Sequence, residues 1–323
     1  MKDATDRFTA ALVTKDPRQI PDWVEPALEA AGIRLKLRRC RDRGQLLAVA
    51  GDADVVWTVA ANKCVTADVL PDLPRCKAIM RSGSGLDDIP VEAARARGII
   101  VANTPEAIAE TVAEHTVALL MALARQVPQH DRAVRAGRWK SGSAWARWHV
   151  PGQTLGLIGF GLIAREVVAM LRGFKMKVLA YDPYADDALF SDHGAERATL
   201  SEVLQSADFV SVHCPLTTET HHLLGAGEFA AMKPDALLIN TSRGGVLDEQ
   251  ALIAALQAGR PAGAALDVFD PEPPAHDNPL LQMENVILTP HVAAFSDEFE
   301  QKFWAASIAK LKRLKSIIQG DPS

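Results

Sequence analysis

The chain has 323 residues, of which 48% are hydrophobic and 23% charged, and its formal net charge is −5. This length exceeds the range over which one core usually grows, so two domains are expected. The mild acidity argues against a nucleic-acid surface or a polybasic membrane face and favours a small-molecule partner. No apolar run reaches the roughly 18 residues that span a bilayer, and residues 1–10 are charged where a signal peptide is apolar, so a cytoplasmic location is expected.

The cysteines at positions 40, 64, 76 and 214 show no C-x-x-C spacing. They are too few to cross-link a chain of this length. We therefore expect reduced thiols that pack as small apolar side chains, and no metal site.

The first hundred residues alternate between strand-like and helix-like segments. The pattern predicts strands at Phe8–Thr14, Ile33–Arg39, Asp54–Val59, Lys77–Arg81 and Gly98–Ala102. It predicts helices at Val24–Ala31, Gly44–Ala50 and Val91–Arg97. Such alternation is typical of a parallel sheet.

A long Ala/Leu-rich helix is predicted at Glu106–Arg125, and a tryptophan-containing stretch follows it. Trp139, Trp145 and Trp148 lie among Arg, Gly and Ser residues, outside any periodic core pattern. Such a stretch indicates an exposed arm that becomes buried against another subunit, so we expect a homodimer.

A glycine turn opens a second alternation of strands and helices. An apolar strand at Leu155 leads into Gly159-x-Gly161-x-x-Ala164 and then an apolar-periodic helix. The first glycine allows the turn, the second lets a pyrophosphate approach the backbone, and Ala164 allows close helix packing. The helix N-terminus would then face the anion.

Asp182 strengthens the cofactor interpretation of this turn. It ends the next apolar strand, where a carboxylate can accept hydrogen bonds from both ribose hydroxyls of the adenosine half. The same charge would repel a 2′-phosphate, so the residues predict NAD rather than NADP.

Further strands are predicted near Phe209, Ala236, Gly263 and Val286, followed by a final helix at Ser296–Ile318 that returns to the first domain. Polar clusters follow the last four of the strands. They are His213-Cys214-Pro215-Leu216-Thr217 with Thr220, Asn240-Thr241-Ser242-Arg243-Gly244-Gly245, Asp267-Val268-Phe269-Asp270-Pro271-Glu272-Pro273, and Thr289-Pro290-His291. Because the carboxyl ends of parallel strands line the ligand crevice, these clusters should converge.

Three of these residues are candidates for the chemistry. Arg243 has a planar, always-charged guanidinium suited to holding a carboxylate. His291 follows an apolar strand, and imidazole suits proton transfer near neutral pH. Glu272 would orient that imidazole and favour its protonated form, and Asp270 competes for this role. The adjacent His221 and His222 are interpreted as structural or capping residues.

The combined motifs are similar over essentially the whole chain to those of the D-isomer-specific 2-hydroxyacid dehydrogenases. The most similar branches are the glyoxylate/hydroxypyruvate reductases, the phosphoglycerate dehydrogenases and the C-terminal-binding proteins. Besides the clusters above, the resemblance rests on Arg81-Ser82-Gly83-Ser84-Gly85-Leu86-Asp87, Asn103-Thr104-Pro105 and Thr111-Val112-Ala113-Glu114.

The resemblance implies two doubly wound parallel-sheet α/β domains. A flavodoxin-like substrate domain would span residues 1–102 and be completed by 293–323, and a Rossmann NAD-binding domain would span 103–292. It further implies that Arg243, Glu272 and His291 are catalytic, which selects Glu272 over Asp270. Substrate contacts would come from Arg81, Ser84, Gly85 and Arg243.

NAD is the cofactor that the family implies. Its contacts would come from Thr111, Gly159, Gly161, Leu162, Ile163, Asp182, His213, Cys214, Pro215, Thr220, Thr241, Ser242, Arg243, Asp267 and His291. Leu162 stands where relatives often have a polar side chain, so the phosphates would depend more on backbone N–H groups. Formate-oxidising relatives have glutamine at the position of Glu272, which disfavours formate.

The expected activity is hydride transfer between NAD(H) and C2 of a small D-2-hydroxy acid or 2-oxo acid. A second hypothesis is an NAD(H)-sensing protein similar to the C-terminal-binding protein corepressors, which have the same three catalytic residues. Ala294 stands where those corepressors have a tryptophan, which favours the enzyme. Arg81 could contact the substrate or merely pair with Asp87 or Asp88.

Overall fold

The computed structural model of the protein describes residues 7–59, 62–139 and 149–320. The chain divides into two compact units, Met1–Ile108 with Ser296–Ser323 (unit 1), and Ala109–Phe295 (unit 2). The divisions expected from the sequence were after residues 102 and 292. Across the described part of the chain, every helix is too short or too polar to traverse a bilayer.

Unit 1 contains a five-stranded parallel sheet. Its strands are β1 (Phe8–Leu12), β2 (Ile33–Leu37), β3 (Val55–Val59), β4 (Ala78–Ser82) and β5 (Ile100–Asn103). Its first three helices are α1 (Val24–Ala30), α2 (Arg43–Ala50) and α3 (Val91–Ala96). The strand order β2-β1-β3-β4-β5 is the flavodoxin-like order. Every residue of β1 and β3 is buried, as expected for central strands that are covered on both faces.

Unit 2 contains a seven-stranded parallel sheet. Its strands are β6 (Thr154–Ile158), β7 (Lys177–Tyr181), β8 (Glu196–Arg197), β9 (Phe209–Val212), β10 (Leu237–Asn240), β11 (Gly263–Leu266) and β12 (Val286–Leu288). Its helices are α4 (Ala109–Ala124), α5 (Val127–Arg135), α6 (Leu162–Leu171), α7 (Asp187–Asp192), α8 (Leu200–Ser206), α9 (Ala226–Ala231) and α10 (Glu249–Gln257).

The order of this sheet is β12-β11-β10-β9-β6-β7-β8, the dinucleotide-binding order with one added strand. The order reverses between β6 and β9, which pair in register with Leu155 opposite Phe209. In open sheets of this kind, ligands bind outside the carboxyl ends of the strands at such a reversal. The fold therefore directs the search for a site to the loops that follow β6 and β9.

The last helix, α11 (Phe299–Gln319), packs within unit 1. The ring of Trp304 lies edge-on to that of Trp57 in β3, with centroids 5.6 Å apart. The Ser307 hydroxyl lies 2.7 Å from the Ser82 hydroxyl, which also accepts a 2.8 Å hydrogen bond from the Trp57 indole N–H. These buried contacts fix α11 against β3 and β4.

The expected α/β class with two parallel sheets is confirmed, but three elements differ from the sequence prediction. The helix expected at 106–125 is a single 3₁₀ turn at Pro105–Ala107 followed by α4. The edge strand β8 has only two residues, both exposed and charged, and no hydrophobic pattern marked it. Helix α5 was not predicted, and none of its residues is buried.

Candidate active site

The glycine turn follows β6 and contacts the loop that follows β9. Gly159 has φ +89°, and a Cβ there would lie 2.6 Å from the backbone nitrogen of Cys214, so only glycine fits without strain. Between the glycines, Phe160 is fully buried and its ring stacks on Phe190 with centroids 4.9 Å apart. The turn is therefore fixed both by backbone packing and by an aromatic anchor.

The second glycine faces open space at the start of α6. A Cβ added to Gly161 would meet no atom within 4 Å. The first intrahelical bond runs from Arg165 N to Gly161 O at 3.2 Å, so the N–H groups of Leu162 and Ile163 precede the helical ladder. Fully buried Ala164 packs the helix on the sheet. Open space in front of N–H groups that precede the helical ladder fits a pyrophosphate, as NAD requires.

Asp182 lies at the end of β7 and contacts the glycine turn directly. Its Oδ2 accepts a 2.9 Å hydrogen bond from Phe160 N, and its Oδ1 accepts one of 2.9 Å from Tyr184 N. Asp182 also lines a cavity of about 370 Å³ together with Tyr181, Arg197 and Thr199. The carboxylate is thus held at one wall of a space beside the glycine turn, where the sequence predicted adenosine binding.

His213 and Cys214 begin the loop after β9, and both are uncharged at neutral pH. Burial lowers the pKa of the His213 imidazole to about 4, and its Nε2 lies 2.9 Å from the Ser211 hydroxyl. Burial likewise raises the pKa of the Cys214 thiol to about 11. These two side chains therefore add no charge next to the glycine turn.

The remainder of this loop is held by Thr220. Its hydroxyl donates to Pro215 O at 2.6 Å and accepts from Thr217 N at 2.8 Å. The Thr220 side chain, expected to contact the cofactor, thus already shapes the loop that begins at Pro215.

The turn after β10 positions Arg243 and is held by Asn240, which the sequence analysis placed in a converging cluster without giving it a role. The Asn240 amide oxygen accepts hydrogen bonds from Ser242 N at 3.0 Å and from its hydroxyl at 2.8 Å. Its Nδ2 donates to Arg243 O at 2.9 Å. On the other side, the Thr241 hydroxyl lies 2.8 Å from that of Thr116 in α4, so the turn is fixed from both sides.

Asp267 is a buried carboxylate that organises the loop after β12. Its Oδ1 accepts from the Thr289 hydroxyl at 2.6 Å and from Val292 N at 3.0 Å, and its Oδ2 accepts from Ala293 N at 3.0 Å. Its backbone oxygen accepts from His291 N at 2.8 Å. Through these contacts Asp267 sets the position of His291.

His291 and Glu272 form a direct pair. Nδ1 of His291 lies 2.8 Å from Oε2 of Glu272, and Oε1 of Glu272 accepts a 3.1 Å hydrogen bond from Phe269 N. Burial alone would raise the pKa of the Glu272 carboxyl. The hydrogen bonds from His291 and Phe269, with the positive charges of His291 and Arg243, outweigh burial and hold this pKa below its usual value.

The pair has a cavity of about 450 Å³ beside it, lined mainly by apolar side chains such as Phe269, Leu281 and Leu288. His291 has φ +53°, a left-handed conformation that the sequence did not predict. The carboxylate that pairs with His291 is therefore that of Glu272 and not that of Asp270, the competing candidate.

His115 is a neighbour of this loop that sequence reasoning missed. Its Nε2 lies 3.2 Å from the Thr289 hydroxyl and 3.6 Å from Oδ1 of Asp267. Thr111, a predicted cofactor contact, is partly buried on the same helix one turn earlier. The i, i+4 spacing of Thr111 and His115 places both on one helix face, and this spacing could have predicted His115 as a site residue.

The predicted substrate residues of unit 1 lie after β4. Gly83 has φ +102° and donates from its backbone to the Thr104 hydroxyl at 2.9 Å, and Ser84 O accepts from Asn103 Nδ2 at 2.7 Å. Nε of Arg81 lies 3.5 Å from Oδ1 of Asp88, and both side chains are 13% exposed. Arg81 therefore pairs with Asp88, while the turn at Ser84 and Gly85 is held by side chains at the end of β5.

Comparison with known proteins identifies the family. The family model of the D-isomer specific 2-hydroxyacid dehydrogenase, NAD binding domain, matches residues 117–293. A glyoxylate reductase from Korarchaeum cryptofilum is 43% identical over 255 residues, covering 76% of this chain and 75% of that protein. A D-3-phosphoglycerate dehydrogenase from Methanocaldococcus jannaschii is 40% identical over 278 residues, covering 86% of this chain but 52% of the relative.

The chain thus spans about half the length of that phosphoglycerate dehydrogenase. Among solved structures, D-lactate dehydrogenase from Aquifex aeolicus, in complex with NAD and lactic acid, superposes with a TM-score of 0.81 at 30% identity, covering 97% of this chain and 96% of that one. The chain belongs to the D-isomer specific 2-hydroxyacid dehydrogenase family, and it contains the family's NAD-binding domain.

Proposed function

We propose that the protein transfers a hydride between NAD(H) and C2 of a small D-2-hydroxy acid or 2-oxo acid. The observation that supports this most strongly is the 2.8 Å contact between His291 and Glu272 in loops at the carboxyl edge of the NAD-binding sheet. An imidazole oriented by a carboxylate is the arrangement that general acid–base catalysis needs. Membership of a family of 2-hydroxyacid dehydrogenases supports the same reaction.

His291 acts as the acid in the reducing direction. Because Nδ1 faces Glu272, Nε2 is the atom that gives its proton to the substrate's carbonyl oxygen. When bound, NADH supplies the hydride that C2 receives. Hydride and proton together convert the 2-oxo acid to the 2-hydroxy acid, and in oxidation Nε2 takes the hydroxyl proton back.

Arg243 holds the substrate carboxylate and polarises the adjoining carbonyl. The turn that positions it is fixed by Asn240 and by Thr241, as a bidentate contact requires. In unit 1, Ser84 and Gly85, through their backbone N–H groups, and Arg81, through its charge, are further substrate-binding residues in this proposal.

NAD is bound through the glycine turn and Asp182. Leu162 and Ile163 offer N–H groups to the pyrophosphate, and Asp182 binds the ribose hydroxyls and disfavours a 2′-phosphate. Thr111, His213, Cys214, Pro215, Thr220, Thr241, Ser242 and Asp267 complete the cofactor contacts in this proposal.

The substrate class is tested by the rate of NADH consumption with glyoxylate, hydroxypyruvate, pyruvate and bulkier 2-oxo acids. NAD⁺ reduction with 3-phosphoglycerate tests the oxidation direction. Ranking by kcat/KM matters, since one methylene in an apolar pocket changes discrimination by only about 1–3 kcal/mol. No NADH is expected to form from NAD⁺ and formate, because Glu272 stands where formate-oxidising relatives have glutamine.

The role of His291 is tested with His291→Asn, since asparagine tolerates the left-handed backbone of this position. We expect kcat to fall about 10²- to 10⁴-fold. His276→Ala, which removes an exposed histidine of the loop after β11, is the matched control. Unchanged kcat in His291→Asn would remove the acid–base assignment. NADH binding with no turnover of any substrate would favour the NAD(H)-sensing alternative.

We also propose that the protein is a cytoplasmic homodimer. Helix α5 and the residues after it expose Val127, Val134 and Trp139 by 54%, 51% and 77%. Exposed apolar side chains in one segment are typical of an interface. Trp145 and Trp148, which gave the same expectation, lie outside the described residues. The location is supported by the four free cysteines.

Sedimentation at micromolar concentration should show a dimer, and Trp139→Ser should weaken it. Trp23→Ser, at a 41% exposed tryptophan of unit 1, is the control. A wild-type monomer would contradict the dimer.

A further inference from the structure

His221, His222 and Asp270 lie together on the surface of unit 2, apart from the acid–base pair. One imidazole nitrogen of each histidine and a carboxylate oxygen of Asp270 all lie within 4.8 Å of one another. We propose that these three residues form a binding site for a divalent first-row transition metal ion. The inference does not depend on the proposed dehydrogenase activity.

The backbone explains why two adjacent histidines point the same way. His222 has φ +54°, and this left-handed conformation interrupts the alternation of side chains along an extended chain. The two imidazole rings consequently stack, with centroids 3.9 Å apart and 22° between their planes. Both can therefore present a nitrogen to one ion.

Three loops hold the cluster in place. His221 N donates to Thr217 O at 2.9 Å, and His222 N donates to Gly245 O at 2.9 Å. A Cβ on Gly245 would lie 3.0 Å from Oδ2 of Asp270, so that carboxylate lies against the same glycine. The loops follow β9, β10 and β11, which are neighbours in the sheet, and the backbone is thus fixed before any ion binds.

The side chains themselves remain available for an ion. Among residues 7–59, 62–139 and 149–320, neither imidazole and neither carboxylate oxygen of this cluster has a hydrogen-bond or ion-pair partner. All three residues are exposed, so small side-chain rotations can bring the ligand atoms together. Tetrahedral ligands at about 2.0–2.1 Å from a metal lie roughly 3.4 Å apart, so each gap must close by no more than about 1.5 Å.

The ligand types define the class of metal. Two imidazoles and one carboxylate suit zinc, nickel, cobalt or copper, whereas magnesium and calcium prefer oxygen ligands throughout. Three protein ligands leave one position for water. Since Asp270 is two residues from Glu272, an ion bound here would tie the loop of the acid–base pair to the loop after β9.

The test is calorimetric titration of chelator-treated protein without a polyhistidine tag, using zinc chloride and nickel chloride. Wild type should bind one ion per chain. His221→Ala, His222→Asn and Asp270→Asn should each weaken binding at least about tenfold, since each removes one of three ligands. Asparagine replaces His222 because it tolerates the left-handed backbone.

His276→Ala is the matched control, because His276 is also exposed and has an aspartate beside it at position 277. It should bind zinc and nickel as wild type does. The near-ultraviolet spectrum of the cobalt form should show no sulfur-to-cobalt charge-transfer band, which separates this site from the partly exposed Cys40.

Thermal unfolding provides a second measurement. The metal should raise the Tm of wild type and of His276→Ala but not of the three ligand variants, whose Tm without metal should match that of wild type. Binding that is equal in all five proteins, a stoichiometry of zero, or a thiolate band in the cobalt spectrum would each overturn the proposal.

Discussion

Glu272 and His291 follow two neighbouring strands of the unit 2 sheet, and the carboxylate of one lies 2.8 Å from Nδ1 of the other. Each residue of the pair makes a further hydrogen bond to the backbone. Glu272 accepts one from Phe269 N, and His291 N donates one to the backbone oxygen of Asp267. Each member of the pair is therefore fixed independently before the two meet. A substitution at Glu272 can therefore remove the charge beside His291 while the loop keeps its conformation.

Glu272→Gln should lower kcat by at least about tenfold, and by less than His291→Asn. The amide still accepts a hydrogen bond, but it lacks the charge that favours the imidazolium. In the reducing direction, the alkaline limb of the pH–rate profile should therefore move to lower pH. The measurement is kcat from pH 5 to 9. Asp277→Asn, which removes an exposed carboxylate of the same loop, should leave the profile in place, and identical profiles for Glu272→Gln and wild type would contradict the pairing.

The two glycines of the turn should respond differently to alanine. Gly161→Ala should keep the Tm of wild type, because a Cβ meets nothing within 4 Å, yet it should raise the Kd for NADH at least about tenfold by filling the pyrophosphate space. Gly159→Ala should lose about 2–4 kcal/mol of folding free energy, because its Cβ would lie 2.6 Å from Cys214 N at φ +89°.

The control for this pair is Gly173→Ala, whose Cβ also meets nothing within 4 Å but which lies at the other end of α6. It should preserve both Tm and NADH affinity. If Gly161→Ala bound NADH as wild type does, the open space in front of Gly161 would not be the site of the pyrophosphate.

Much of the fold could be predicted because parallel α/β units leave a strong sequence pattern. The buried strands are continuous apolar runs, and the glycine turn requires residues without side chains at fixed positions. The proximity of His291 and Glu272 could be predicted because the carboxyl ends of neighbouring parallel strands lie at one edge of the sheet. The choice of Glu272 over Asp270 came from family resemblance, since a two-residue offset in a loop has no periodicity.

Other features left no such pattern. Asn240 and His115 act through side-chain hydrogen bonds to neighbouring loop residues, which hydrophobic periodicity does not predict. The left-handed backbone of His222 and His291 depends on tertiary hydrogen bonds to Gly245 and Asp267. Consequently the sequence interpretation of His221 and His222 as structural or capping residues did not anticipate their stacking beside Asp270.

Asp182→Asn should shift the cofactor preference from NAD towards NADP. The amide oxygen can still accept one of the hydrogen bonds from Phe160 and Tyr184, so the turn is retained. Without the negative charge, repulsion of a 2′-phosphate disappears and the ribose contact weakens. The ratio of kcat/KM for NADPH to that for NADH should rise at least about tenfold. Asp186→Asn, at an exposed position shortly after the same strand, should leave the ratio unchanged.

His213 should make the stability of the protein fall at mildly acidic pH. Burial lowers the pKa of its imidazole from 6.5 to about 4 in the folded protein. Between these values the unfolded chain binds more protons, so the free energy of unfolding decreases as the pH falls from 6.5 towards 4. The integrated effect of such a shift is no more than about 3 kcal/mol.

The variant His213→Gln cannot titrate in this range, yet it retains a polar group for the Ser211 hydroxyl. Thermal unfolding of both proteins from pH 7 to 4.5 should show a steeper loss of Tm in wild type, because only wild type must keep an imidazole uncharged there. All other histidines are common to both proteins, so the difference between the two curves isolates His213. Parallel curves would mean that His213 becomes protonated in the folded protein as readily as in the unfolded chain.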